Sequence, residues 1–187
     1  MVSILYEVKN RYDVIVVGAG HAGCEAAHAC VKLGKKVLLA TINLDYIALL
    51  PCNPSIGGPA KAHLVREVDA LGGLMGEMAD RCAIQMRMLN TTKGPAVHSL
   101  RGQMTKYQRQ MRAYLENLEG LDLKQMVVDD LIVEEGKVCG VVTEFGGAYY
   151  ADAVILATGT YLGGAIVIGD YFKKSGPNGQ LSAEVLP

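Results

Sequence analysis

Apolar positions follow two rhythms along this chain. Val14 to Val17 form an unbroken apolar run that stops at Gly18, the pattern of a strand buried on both faces. The small-residue stretch "CEAAHACVKLG" reads as a helix ended by Gly34, and "KKVLLAT" as a second strand. Residues 11–41 therefore predict a βαβ unit of about thirty residues. Residues 42–122 break that alternation and predict an insertion of loops and helices, with helices over Ala60 to Leu71, Gly73 to Asp80 and roughly Gln103 to Leu118. In the first of these, Leu64, Val65, Val68 and Leu71 mark one apolar face and Gly72 is a natural stop. Met75, Met78, Met86 and Met88 read as core filler. Residues 123–165 return to strands. "LDLKQMVV" is followed by a small β-meander with turns at Glu135-Gly136 and Gly146-Gly147. A separate buried strand, Val154 to Ala157, then ends in Thr158-Gly159. Residues 166–187 read as a truncated tail, and the whole as one α/β unit.

The chemistry sits where the first strand meets the first helix. Gly18-x-Gly20-x-x-Gly23 places three glycines with separate tasks: the first for a tight turn, the second for close approach of a pyrophosphate, the third for close helix–strand packing. The helix start adds unpaired N–H groups and a positive dipole end. Ala19, His21 and Ala22 share that loop, so His21 is expected to act through its backbone rather than as an acid or base. An acid usually closes the second strand to hold a ribose; here Thr41 stands in that place, and Asp45 comes too late. A second unusual stretch, "LLPCNPSIGGPAK", is stiffened by Pro51 and Pro54, while Gly57 and Gly58 leave backbone N–H groups open before the next helix.

Composition narrows the setting. Half of the 187 residues are hydrophobic, a fifth are charged and 22 are glycine. The five cysteines form no Cys-x-x-Cys pair, which argues against a disulfide framework or a zinc site and for a reducing, cytosolic setting. No apolar run is long enough to span a bilayer, and the first ten residues lack the marks of a signal peptide. The net charge of −1 hides an uneven distribution. From Arg81 to Leu115 there are seven basic residues and no acid, which fits either a solvated helix face or a surface for an anion, a nucleotide or an RNA backbone. His28, His63 and His98 show no ligand spacing and read as structural.

The order of elements resembles the FAD-binding half of the glutathione-reductase and succinate-dehydrogenase type, a Rossmann-like fold with a helical insertion and a β-meander. "PCNPSIGG", "HLVREVDALGG" and "TTKGPAVHSLRGQ", in that order, resemble the MnmG (GidA) family of tRNA wobble-uridine modification enzymes. The resemblance implies a cytosolic FAD protein, homodimeric when whole, that works with the GTPase MnmE. It implies that methylenetetrahydrofolate supplies carbon, that NADH reduces the flavin, and that tRNA is the substrate. Family members are several times longer, so it also implies that this chain is an N-terminal part of one FAD-binding domain. Carried over by position, Gly18, Ala19, Gly20, His21, Ala22, Gly23, Thr41, Asn53, Gly57, Gly58, Val128, Thr158, Gly159 and Ser182 would hold the cofactor, with Val128 on the adenine side. Cys52 would lie near the redox ring, or else be a small buried hydrophobe, and Lys93 would contact an anion or substrate, or else be a solvated loop lysine. Arg109 and Arg112, on a long polar helix, would meet tRNA, and Arg101 with Lys93 would face the flavin or substrate pocket. Thr105 stands where the family pattern has Asp. Two other readings share these features. One is a different flavoenzyme of the same fold, such as the folate-dependent tRNA uridine methyltransferase TrmFO or a general oxidoreductase, and the other is a module that only binds nucleotide or RNA.

Overall fold

The computed structural model describes residues 3–8, 11–50, 55–57, 60–93, 99–104, 106–180 and 182–183. The expected βαβ unit is present: β2 (Tyr12–Val17) and β3 (Val37–Thr41) are parallel neighbours joined through helix α1 (His21–Lys32). Every residue of β3 is buried, which explains the continuous apolar run. Val16, Val37 and Leu39 face a helical layer made by α1, α3 (Leu74–Cys82) and α4 (Tyr107–Glu116). Ile15, Val17, Leu38 and Ala40 face the opposite side, against Val128, Val141 and Ala151.

The strands β7 (Leu121–Gln125), β8 (Val128–Glu134), β9 (Lys137–Thr143) and β10 (Gly147–Leu156) complete the main sheet in the order β7-β3-β2-β10-β9-β8. The short β1 (Tyr6–Glu7) pairs parallel with the start of β10. The pairs linking β7, β3, β2 and β10 are parallel, and those linking β10, β9 and β8 are antiparallel. The turn expected at Glu135-Gly136 is there, with both residues at positive φ as a tight hairpin requires. The meander and the last buried strand are not separate, however. β10 leaves the meander antiparallel to β9 at Ala148–Tyr150 and continues parallel to β2 from Ala151 to Leu156.

The insertion also differs from expectation. Beside α2 (Lys61–Ala70) and α3 it holds a three-stranded antiparallel sheet, β4 (Ser55–Gly57), β6 (Ser99–Met104) and β5 (Ala83–Leu89). Gln103 and Met104 pair in β6, so the helix expected from Gln103 begins only at Tyr107. Met78 is buried and Met75 packs beside it, but Met86 and Met88 lie on β5, 41% and 43% exposed, and do not fill the core. The apolar stripe of α2 is likewise uncovered, with Leu64 61% and Leu71 90% exposed. Gly72, at φ 85°, ends α2 as the sequence suggests, and Gly72 and Gly73 donate back to the carbonyls of Asp69 and Val68. A second hairpin, β11 (Ala165–Ile168) with β12 (Tyr171–Lys174), projects after the main sheet. No helix among the described residues is long and apolar enough to cross a membrane.

Candidate functional site

Parallel strands leave a crevice at their carboxyl ends where the strand order reverses. Here β2 continues toward α1 on one side, and β3 and β10 flank it. A cavity of about 260 Å³ opens at that point. Of the residues picked from sequence, Gly18, Ala19, Gly20, His21, Thr41, Val128, Thr158 and Gly159 line it.

The three glycines separate by what surrounds them. Gly18 has φ 103°, and a Cβ there would stand 2.4 Å from the Ala157 carbonyl oxygen. A Cβ on Gly23 would stand 1.7 Å from the Gly18 carbonyl oxygen, so this glycine lets α1 close onto the turn. Among the described residues, a Cβ on Gly20 would meet no atom within 4 Å, and its φ of −69° suits any residue. No described residue requires glycine at position 20; a ligand approaching the backbone there would. Gly20 is also the N-cap of α1, no side-chain cap hydrogen bond is made there among the described residues, and Cys24 N–H is bonded back to Gly20. The free first-turn N–H groups and the helix dipole suit an anion. The cradle fits the phosphates of a dinucleotide.

His21 begins α1, and its ring lies 5.8 Å from that of Tyr107, centroid to centroid. Among the described residues its Nδ1 is buried without a hydrogen-bond partner, and burial pushes the imidazole pKa down. Cys24 is buried and directs its thiol to the Ala19 carbonyl at 3.4 Å; burial pushes that thiol up to about 12, so it is no nucleophile. Burial raises the thiol pKa of Cys30, Cys82 and Cys139 as well. His28 bonds the Tyr114 hydroxyl through Nδ1 at 3.1 Å, a structural role as expected. Thr41 is buried and its hydroxyl donates to the Asn43 carbonyl at 3.2 Å. Among the described residues no cluster of His, Cys, Asp or Glu could hold a metal ion.

Other sequence candidates stand elsewhere. Ala22, exposed on the first turn of α1, and Gly23, buried, do not line the cavity, and nor does Ser182, whose neighbour Ala183 does. Gly57 lines a second cavity, of about 210 Å³, between α2, α3 and β5. Lys93 lies in the turn after β5, its N–H bonded to the Asn90 carbonyl, away from the lining. Cys52, Asn53, Gly58 and Thr105 fall outside the described residues. Arg101 sits in β6. Arg109 is exposed on α4, but Arg112 bonds Asp45 at 2.6 Å and Glu116 at 2.7 Å. Its charge is therefore matched by two carboxylates of the protein. Tyr46, Leu49, Met126, Val127 and Tyr161 line the cavity without having been singled out. The link between β7 and β8 follows a strand end at the crevice and was open to prediction on that ground; Tyr46, Leu49 and Tyr161 carry no local signal.

The profile of the family described as Glucose inhibited division protein A matches residues 13–187. The chain is 55% identical over 181 residues to the tRNA uridine 5-carboxymethylaminomethyl modification enzyme MnmG of Heliobacterium modesticaldum, covering 96% of this chain and 28% of that protein. It is 61% identical over 173 residues to the enzyme of the same name from Geobacillus kaustophilus, covering 91% and 28%. Its structure matches that of Aquifex aeolicus GidA with a TM-score of 0.88 at 46% identity, over 95% of this chain and 30% of that one. A likeness to Mycobacterium smegmatis Sdh1, at 19% identity and TM-score 0.58 over 83% and 35%, is one of fold alone. The chain spans under a third of the length of the MnmG and GidA relatives, and it belongs to the Glucose inhibited division protein A (GidA) family.

Proposed function

We propose that this chain is the FAD-binding part of a tRNA-modifying flavoprotein that places a carboxymethylaminomethyl or aminomethyl group on C5 of the wobble uridine. The observation that carries the reading is Gly20, a backbone position kept open toward a cavity at the strand switch point. The names of relatives at 55% and 61% identity support the substrate and reaction. In this reading the pyrophosphate rests on the amides of Gly20 and the first turn of α1, and the adenosine half lies along Thr41 and Val128. Thr158 and Gly159 close the cavity from the end of β10. When bound, the flavin supplies hydride and electron transfer.

The chain's own residues bind and shield. His21 packs its ring against Tyr107, so the phosphate charge would be met by the helix amides. Cys52 and Lys93, from the two loops that carry the family resemblance, are the residues we assign to the substrate side. Arg109, exposed on α4, is our candidate for a tRNA phosphate. The GTPase MnmE, NADH, methylenetetrahydrofolate, a cytosolic homodimer and tRNA complete the proposal for the whole protein. The test uses the full-length parent. Its visible spectrum and the nucleotide released by heat are expected to show FAD, and its deletion to remove the wobble modification from cellular tRNA. A colourless parent that takes up NAD but not FAD would overturn the reading.

A further inference from the structure

The loop after β3 is held both by its own hydrogen bonds and by contacts from β7, α4 and the phosphate loop. Thr41 donates to the Asn43 carbonyl, and the Asn43 side chain accepts from the Asp45 N–H at 2.8 Å. The Leu44 N–H reaches the Gln125 side chain on β7 at 3.4 Å. From α4, Arg112 bonds the Asp45 carboxylate at 2.6 Å and the Gln108 amide donates to the Asp45 carbonyl. Three residues on, the Ala48 N–H donates to the Ala19 carbonyl at 2.9 Å, inside the phosphate loop. Ala48 is fully buried at φ 50°, a conformation that a non-glycine residue holds only when its surroundings impose it. Tyr46 and Leu49, either side of the buried Ile47 and Ala48, line the cavity.

We propose that α4 is a strut for the dinucleotide cavity, with Arg112 and Gln108 as positioning residues. They hold Asp45, and through the 43–49 turn they hold Tyr46, Leu49 and the Ala48–Ala19 link in place for the adenosine half of the cofactor. The inference rests on the cofactor reading above. It also assigns the Arg112 guanidinium: Nη1 meets Asp45 and Nε meets Glu116, so its charge serves the fold of the cavity rather than a nucleic-acid phosphate.

The pair is solvent-accessible, with the Asp45 side chain 78% exposed, so its effect is modest. In the full-length parent stripped of cofactor, FAD titration followed by flavin fluorescence should give a Kd about 3- to 5-fold higher for Arg112→Ala, and likewise for Asp45→Ala. The double variant should be no weaker than either single one, because both remove the same contact. Arg112→Lys should recover most of the affinity, and Gln110→Ala, on the exposed side of the same helix, should leave it unchanged. Melting temperature and tRNA affinity are measured alongside. Additive losses in the double variant, or an unchanged Kd in Arg112→Ala, overturn the strut while leaving FAD binding intact. Loss of tRNA affinity with unchanged Kd for FAD returns Arg112 to nucleic-acid binding and also overturns it. A parent that takes up no FAD overturns the cofactor reading and this inference together.

Discussion

Replacing each glycine of the Gly18-x-Gly20-x-x-Gly23 loop by alanine should give outcomes of opposite kind, although the substitutions are chemically identical. At Gly20 the new Cβ meets no atom of the described residues within 4 Å, and φ of −69° is accessible to alanine. Two small terms then compete. Alanine reduces the freedom of the unfolded chain, worth about 0.4–1 kcal/mol, but it is a poorer N-cap than glycine by a similar amount. The net change is expected below about 1 kcal/mol, or within about 2–4 °C of the wild-type melting temperature for a chain of this size. The same methyl group occupies the space through which a phosphate reaches the backbone. Losing one charge-assisted hydrogen bond costs about 1.5–3 kcal/mol, so the Kd for FAD should rise roughly 10- to 150-fold, and further for Gly20→Val. At Gly23 the Cβ would lie 1.7 Å from a backbone oxygen. Only a shift of α1 relieves that, at about 3 kcal/mol or more, or roughly 6–12 °C. Gly18→Ala adds a left-handed φ to a 2.4 Å clash and should behave like Gly23→Ala. The assay pairs thermal melts without cofactor with FAD titration of the protein that remains folded. A Gly20→Ala protein that binds FAD as wild type does, or one that melts as early as Gly23→Ala, would refute the assignment of Gly20 to the ligand.

Four further outcomes are expected. Glu25 accepts hydrogen bonds from the N–H groups of Leu74 and Met75 and so caps α3 from α1; Glu25→Ala should lower stability by about 1–2 kcal/mol in denaturant melts, with no change expected if the cap is idle. Burial lowers the pKa of His21 and His28 below the usual 6.5, so the unfolded chain binds more protons between those lowered values and 6.5. Stability should therefore rise with pH through that window and be lost as pH falls below 6.5, and urea melts of a His21→Gln, His28→Gln protein should show a flatter dependence. Cys52→Ser in the full-length parent should reduce modified-uridine yield while leaving the melting temperature near wild type; full activity would remove the thiol from the chemistry. Arg109→Ala should weaken tRNA binding and lower its salt slope by about 0.9, with flavin content unchanged, whereas an unchanged slope would mark Arg109 as a solvated side chain.

The βαβ unit was legible because each part carries its own signal: an unbroken apolar strand, three glycines at fixed spacing and a second strand after Gly34. Two features hid the rest. β10 has two environments in one strand, so its pattern changes halfway, near Asp152, which bonds Arg11 at the surface. The pattern change reads as an interruption, although the backbone continues. β5 does alternate, with Ile84, Met86 and Met88 separated by Gln85 and Arg87, which is a strand period. Methionine's adaptability as a core residue suggests core filler instead. The cavity itself was half legible. Its floor is a contiguous motif, but its walls come from Tyr46 and Leu49, from Met126 and Val127, and from Tyr161 and Ala183, segments brought together only by the sheet order.

The acid-free stretch from Arg81 to Leu115 shows how a charge count along the chain differs from a charge balance in space. Its boundaries are where the acids begin, and folding uses those bordering acids first. Arg81 pairs with Glu77, one helical turn before it, and Arg112 pairs with Glu116, one turn after it. Both partners lie just outside the stretch. Arg112 also takes Asp45 from a loop 67 residues earlier. A helix that ends a basic run with Arg at one position and Glu four residues on is neutralised locally by its own geometry. The surface field of the stretch is therefore smaller than its seven cations suggest, and on α4 it is concentrated on Arg109 rather than shared with Arg112. The pairing of Arg112 with Asp45 also ties α4 to the turn beside the cavity.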